Sequence, residues 1–151
     1  AELTKIELNI EKLMSTILHR ESKAGRNVAF TISPTIDTIV TNKFAIETIL
    51  SNLLSNALHY SPANSPVTIL VTPDTNAARV KISISNTSVY QYTATELEKF
   101  FEPLWQKDQS RTSSQRYGLG LAIVKSYCDN INAEINIALT PDKQITFTVI
   151  V

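Results

Sequence analysis

The stretch 49-ILSNLLSNALHYSP-62 decides how the chain is read. Ile49, Leu50, Leu53, Leu54 and Ala57 recur three and four residues apart, the spacing of one buried helix face. Asn52 and Asn56 break into this helix with two carboxamides, placed one above the other at an edge of the apolar stripe. A core helix would use Leu or Ala there, and a solvated face Lys or Glu. A carboxamide oxygen is a neutral, hard ligand that suits Mg²⁺, which keeps several waters and binds through a few protein oxygens plus phosphates. The pair fits the edge of a magnesium-nucleotide cleft. Taken alone, it reads first as two amides that cap backbone or meet solvent.

Outward from this helix, the pattern runs from about Asn42 to Tyr60 and is stopped by Pro62 and Pro66. The strands 67-VTILVT-72 and 79-RVKISIS-85 follow, joined as a hairpin by 73-PDTNA-77. Upstream, alternation at Ile6, Leu8 and Ile10 predicts a short strand. Ile10, Leu13, Met14, Ile17 and Leu18 then predict a helix, with Asn9 as N-cap and Gly25 as stop. The segments 28-VAFTIS-33 and 37-DTIVT-41 read as strands around a turn at Pro34.

Downstream, Thr95 and Glu98 have capping-box spacing at the start of a third helix. The stretch 106-QKDQSRTSSQR-116 is polar and aperiodic and reads as a mobile loop. Gly118 and Gly120 open the helix 118-GLGLAIVKSYC-128, where backbone can approach a ligand and a helix N-terminus attracts phosphate. Asn132 is a left-handed helix-ending residue, and 135-INIAL-139 and 144-QITFTVIV-151 form a closing hairpin around Pro141 and Asp142. The expected fold is an α+β two-layer sandwich: a mostly antiparallel mixed sheet covered on one face by about three helices, in a single domain spanning 1–151.

Composition narrows the function classes. Of 151 residues, 43% are hydrophobic and 19% charged, as in a globular domain. Lys+Arg and Asp+Glu are 14 each, so no net field favours nucleic acid or an anionic membrane. The single cysteine, Cys128, excludes a disulfide framework or a cysteine metal cluster and reads as a small buried hydrophobe in a reducing compartment. No apolar run approaches the ~20 residues of a membrane span. The opening 1-AELTKIEL-8 is expected to be a fragment boundary in a longer protein.

Three segments, in order, resemble one family. The segment 49-ILSNLLSNALHYSP-62 is similar to the N box of the sensor histidine kinase ATP-binding domain. Next, 101-FEPLW-105 resembles its phenylalanine box, and 118-GLGLAIV-124 its second glycine box. The resemblance covers nearly the whole chain and implies the Bergerat fold shared with heat-shock chaperones, gyrase and MutL-type repair proteins. It also implies ATP and Mg²⁺ as cofactors. By the resemblance, Asn56 ligates Mg²⁺ and Asn52 lies by the phosphates as the catalytic-position residue. His59 falls where the family has Lys or Arg facing phosphate, although an imidazole with a pKa near ~6.5 is a weaker cation and a surface histidine fits as well. Tyr60 flanks the nucleotide. Gly118, Leu119 and Gly120 bring the end of the lid to the triphosphate. Lys107, Arg111 and Arg116 in the lid either reach phosphates or stay solvated. Phe100, Phe101, Leu104 and Trp105 pack the lid's root.

The first glycine box departs from the family's D-x-G-x-G. In 84-ISNTSVYQY-92 its aspartate position holds Asn86, and its glycine positions fall on Ser88 and Tyr90. Asn86 still offers an amide oxygen to the adenine amino group, as a neutral acceptor. Arg116 and Tyr117 stand ahead of Gly118, so the second box lacks its leading glycine.

The resemblance implies the catalytic half of a two-component protein-histidine kinase. Such a domain presents Mg-ATP to a histidine on a separate dimerisation domain and serves a response regulator. The full-length protein would be a homodimer and the fragment a monomer, in the cytoplasmic part of a membrane-attached receptor. The alternative is a degenerate pseudokinase that acts as a docking module. A chaperone-like ATPase fits less well, because those relatives carry a glutamate at the Asn52 position to activate water, and asparagine is no general base.

Overall fold

The computed structural model describes residues 3–76, 78–103 and 115–151. Its elements are β1 (Ile6–Asn9), α1 (Ile10–Glu21), β2 (Val28–Ile32), β3 (Thr38–Thr41), α2 (Lys43–Tyr60), β4 (Val67–Pro73) and β5 (Val80–Thr87). They continue with α3 (Ala94–Glu98), α4 (Gln115–Asn130), β6 (Glu134–Leu139) and β7 (Gln144–Ile150).

Alternation builds the main sheet. In β4, Val67, Ile69 and Val71 point one way and are buried; so are Ile82 and Ile84 of β5 and Ile145, Phe147 and Val149 of β7. The register lines Phe30, Ile69, Ile84, Phe147 and Ile137 into one row across five strands ordered β2-β4-β5-β7-β6. The opposite face is polar: Ser83 bonds Thr148 at 3.2 Å, and Ser85 bonds Thr146 at 2.8 Å. Only β2–β4 is parallel, because its strands are joined through β3 and α2, whereas the two hairpins close antiparallel pairs. The mixed, mostly antiparallel sandwich is therefore observed as expected. β1 and β3 form a separate two-stranded antiparallel ribbon.

The apolar stripes of α1, α2 and α4 meet the buried sheet face in one core. Phe147, at its centre, is 1% exposed; truncation to Ala would cost ~3–5 kcal/mol through lost contacts and a cavity. No helix among the described residues is long and apolar enough to cross a membrane.

The helix ends refine several expectations. Asn9 caps α1 by accepting from the Lys12 N–H at 2.9 Å, as expected. Gly25, however, does not stop α1. The helix ends at Glu21 with Ser22 extended, and Gly25, at φ +76°, shapes a later turn closed by Arg26 N–H to Lys23 O at 3.1 Å. The capping box is also displaced. Thr93 and Glu96, not Thr95 and Glu98, exchange side-chain and backbone bonds at 3.1 and 3.0 Å. The sequence offers the same Thr-x-x-Glu spacing in two frames, and packing of Tyr92 on Phe100 accompanies the earlier one. α4 starts at Gln115, so Gly118 and Gly120 lie within its first two turns and do not open it. Asn132 takes the left-handed conformation expected of it, at φ 57°.

Candidate functional site

α2 presents the two asparagines. Its N-cap Asn42 accepts from the Ala45 N–H at 2.9 Å, and its apolar stripe packs into the core, which orients the Asn52 and Asn56 edge. Asn52 donates from Nδ2 to the carbonyl of Thr48 at 2.8 Å. Its Oδ1 faces α4, 3.3 Å from where a Cβ on Gly120 would stand. Asn56 is 8% exposed, and among the described residues its carboxamide makes no hydrogen bond. Among the described residues the buried side-chain polar atom without a partner is Arg26 Nε, so the Asn56 carboxamide still reaches the surface and is open to a ligand.

At the end of the same helix, His59 is exposed and Tyr60 half-buried, their rings edge to face at 4.7 Å. This turn is held by a residue the sequence reading missed. Arg26 donates to Leu58 O at 2.6 Å, to Ser61 Oγ at 2.6 Å and to Ser65 O at 3.3 Å. A guanidinium suits the carbonyls at a helix C-terminus, where the dipole favours a cation. Arg26 sits in a polar stretch with no periodicity, so nothing local marks it.

Asn86 lies on the helix-facing side of β5, 3% exposed, paired with Val67 on one side and Ile145 on the other. Its Nδ2 donates to Thr87 O at 2.9 Å. That leaves Oδ1 as the end that can meet a ligand. Ser88 and Tyr90, where the resemblance implies glycines, keep ordinary backbone: the non-glycine positive φ values among the described residues are those of Asn132 and Lys143. Ser88 holds the turn through its side chain and its N–H. Its Oγ donates to Tyr90 O at 2.7 Å and accepts from Tyr90 N–H at 3.2 Å, and its N–H donates to Lys143 O at 2.7 Å. The Tyr90 ring joins an aromatic series with Tyr92, Phe100 and Phe147, at successive centroid distances of 5.8, 4.7 and 6.4 Å. Phe100 is buried and Phe101 half-buried.

The structure thus brings Asn52 against Gly120, and it sets Asn86 on β5 beneath the helix layer that carries Asn56. Arg116, Gly118 and Leu119 fall in the first turns of α4. Lys107 and Arg111, with Leu104, Trp105 and most of the expected mobile loop, lie outside the described residues; Gln115 and Arg116, which closed that loop, are helical. Cys128 is fully buried as expected, and burial pushes its thiol up to about 11 from the usual 9.0. Lys125 opposes this shift and Asp129 reinforces it.

Residues 41–151 match the family described as histidine kinase-, DNA gyrase B-, and HSP90-like ATPase. This chain belongs to that family. It is 34% identical over 99 residues to the sensor protein IrlS of Burkholderia pseudomallei, covering 65% of this chain and 21% of that protein. It is 27% identical over 145 residues to the sensor-like histidine kinase SenX3 of Mycolicibacterium smegmatis, covering 93% of this chain and 37% of the relative. The chain therefore spans about a fifth to two fifths of the curated relatives it matches. In fold, it superposes on full-length ShkA, solved with AMPPNP, at a TM-score of 0.82 and 21% identity, over 99% of this chain and 31% of that one. The histidine-kinase-type ATPase domain expected from the three boxes is the observed class. It belongs to an ATP-binding family, and the comparisons lend no support to the pseudokinase alternative.

Proposed function

We propose that this domain binds Mg-ATP along the α2 edge and presents its terminal phosphate to a histidine on a separate dimerisation domain of the full-length protein. The phosphate would then pass to a response regulator. The observation that carries the reading is Asn56, a nearly buried carboxamide with no hydrogen bond among the described residues, one turn from Asn52 on the edge of α2. A neutral oxygen donor of this kind fits Mg²⁺, which needs few protein ligands when phosphates and water complete its shell. Mg²⁺, when bound, would neutralise charge between the phosphates. The chain's own residues do the positioning. Asn56 offers the metal an oxygen, and Asn52 lies by the phosphates with its amide fixed by Thr48. His59 adds charge at the helix end when protonated, and Tyr60 flanks the nucleotide. Asn86, with its nitrogen held by Thr87, turns an acceptor toward the adenine amino group. Gly118 and Leu119 lie near the triphosphate in α4, joined there by Arg116, and Lys107 and Arg111 supply further cations.

Asparagine at position 52 is no general base, so the domain holds ATP for transfer and hydrolyses it slowly. The full-length protein would work as a homodimer in the cytoplasmic part of a membrane-attached receptor, and residues 1–151 would serve as its single catalytic unit. The test is to incubate the full-length protein with Mg-ATP labelled at the γ-phosphate. An acid-labile, base-stable phosphate on histidine is expected, lost in Asn56→Ala. Absence of label from folded, full-length protein would contradict the reading.

A further inference from the structure

Where α2 and α4 pack, Asn52 Oδ1 occupies the space beside Gly120, 68 positions away in sequence, that a Cβ would enter. Gly120 lies in the second turn of α4, where glycine costs helix stability relative to alanine and no positive φ calls for it. What the position lacks is room. A Cβ there would stand 3.3 Å from Asn52 Oδ1, closer than ordinary van der Waals contact. Asn52 would have to give by a few tenths of an ångström, and its Nδ2 is held by Thr48 O at 2.8 Å. Rotation that makes room stretches that bond; keeping the bond shifts α4 outward.

We propose that Gly120 is a positioning residue for Asn52. Its missing side chain is the seat of the Asn52 oxygen, and the Thr48 carbonyl and the Gly120 seat together fix which way the carboxamide faces. The role differs from that of a glycine that simply lets backbone approach phosphate. It acts through Asn52, and it registers the first turns of α4 against α2. The consequence for nucleotide binding rests on the function proposed above, whereas the contact itself can be tested without nucleotide.

The test is a double-mutant cycle of the parent, Gly120→Ala, Asn52→Ala and the double variant, read in two ways. Thermal unfolding without nucleotide comes first. With Asn52 truncated, Gly120→Ala is expected to raise the midpoint by about 2–4 °C, the helix-propensity gain for a domain of this size. With Asn52 present, the gain should vanish or reverse. Equal gains in both backgrounds would overturn the contact. The second reading is Mg-ATP affinity by calorimetry. Gly120→Ala is expected to weaken binding about tenfold in the parent and to add nothing in Asn52→Ala. A stability coupling with unchanged affinity in Gly120→Ala would overturn the positioning role and leave only a packing contact. If the parent itself fails to bind Mg-ATP, the proposed function falls, while the stability cycle still decides whether Gly120 seats Asn52.

Discussion

The amide edge of α2 and the connection from β5 to α3 belong to one nucleotide site by resemblance, yet they are built differently. In α2 the informative atoms are side chains on a regular helix, and the helix is set by its apolar stripe and the Asn42 cap. Asn52 and Asn56 fall at the N-box positions that the resemblance implies. In the connection, the resemblance implies glycine backbone at positions where this chain has Ser88 and Tyr90. The turn is nonetheless closed, by two bonds between the Ser88 hydroxyl and the Tyr90 backbone and by the aromatic series from Tyr90 to Phe147. Side-chain bonds and ring contacts thus define this turn without glycine.

The largest expected effect lies on the α2 side. Asn56→Ala should leave the fold intact and remove the magnesium dependence of nucleotide binding, with a loss of affinity on the order of 100-fold, the upper end of what altering a metal's surroundings costs. Matched circular dichroism and calorimetry of the variant check this; an unchanged Mg-ATP isotherm would take Asn56 out of the site.

The connection is sharpened by Asn86→Asp. A charged acceptor is worth ~1.5–3 kcal/mol against about 1 for a neutral one, which corresponds to roughly 2- to 30-fold in affinity. The carboxylate forfeits the bond from Asn86 Nδ2 to Thr87 O, so the gain should sit toward the lower end, roughly two- to fivefold for ATP. GTP should gain nothing, since guanine presents a carbonyl there. If only Asn86→Asp combined with Tyr90→Gly tightens ATP, Tyr90 is what closes the pocket. Should the folded double variant bind no ATP at all, adenine does not sit beside Asn86.

A third effect concerns stability. Arg26→Ala strips the donor from Leu58 O, Ser61 Oγ and Ser65 O behind the His59–Tyr60 turn. A loss of roughly 2 kcal/mol is expected from urea unfolding, with partial recovery in Arg26→Lys. The smallest effect is that of pH on Cys128. Its folded thiol titrates near 11 against 9.0 unfolded, so the neutral form is favoured by folding. That stabilisation is complete below about pH 9 and declines above it, by on the order of 1 kcal/mol per pH unit, until the folded group ionises. Comparing the parent with Cys128→Ala at pH 8 and 10.5 isolates it; parallel losses in both proteins would remove Cys128 as the cause.

The two regions also mark what the sequence could convey. α2, the β4–β5 and β6–β7 hairpins and Asn132 were legible because periodicity, turn residues and caps act over a few positions. The parallel β2–β4 pairing and the separate β1–β3 ribbon were not, since nothing local states which strand lies beside which. The early start of α4 was missed because Gln115, Arg116 and Tyr117 carry no periodic apolar signal. Arg26 was missed because its partners lie 32 to 39 residues away. Gly120 was noticed for its flexibility, whereas the structure gives it a steric partner in Asn52.

The central claim is that the intact amide edge of α2 binds Mg-ATP although the glycine box beside it is replaced. Titrating the domain with ATP by calorimetry, in magnesium and again in chelator, tests it most directly. Saturable binding in magnesium that collapses in chelator is the expected result. No heat up to millimolar ATP from a folded domain, in either buffer, would contradict it.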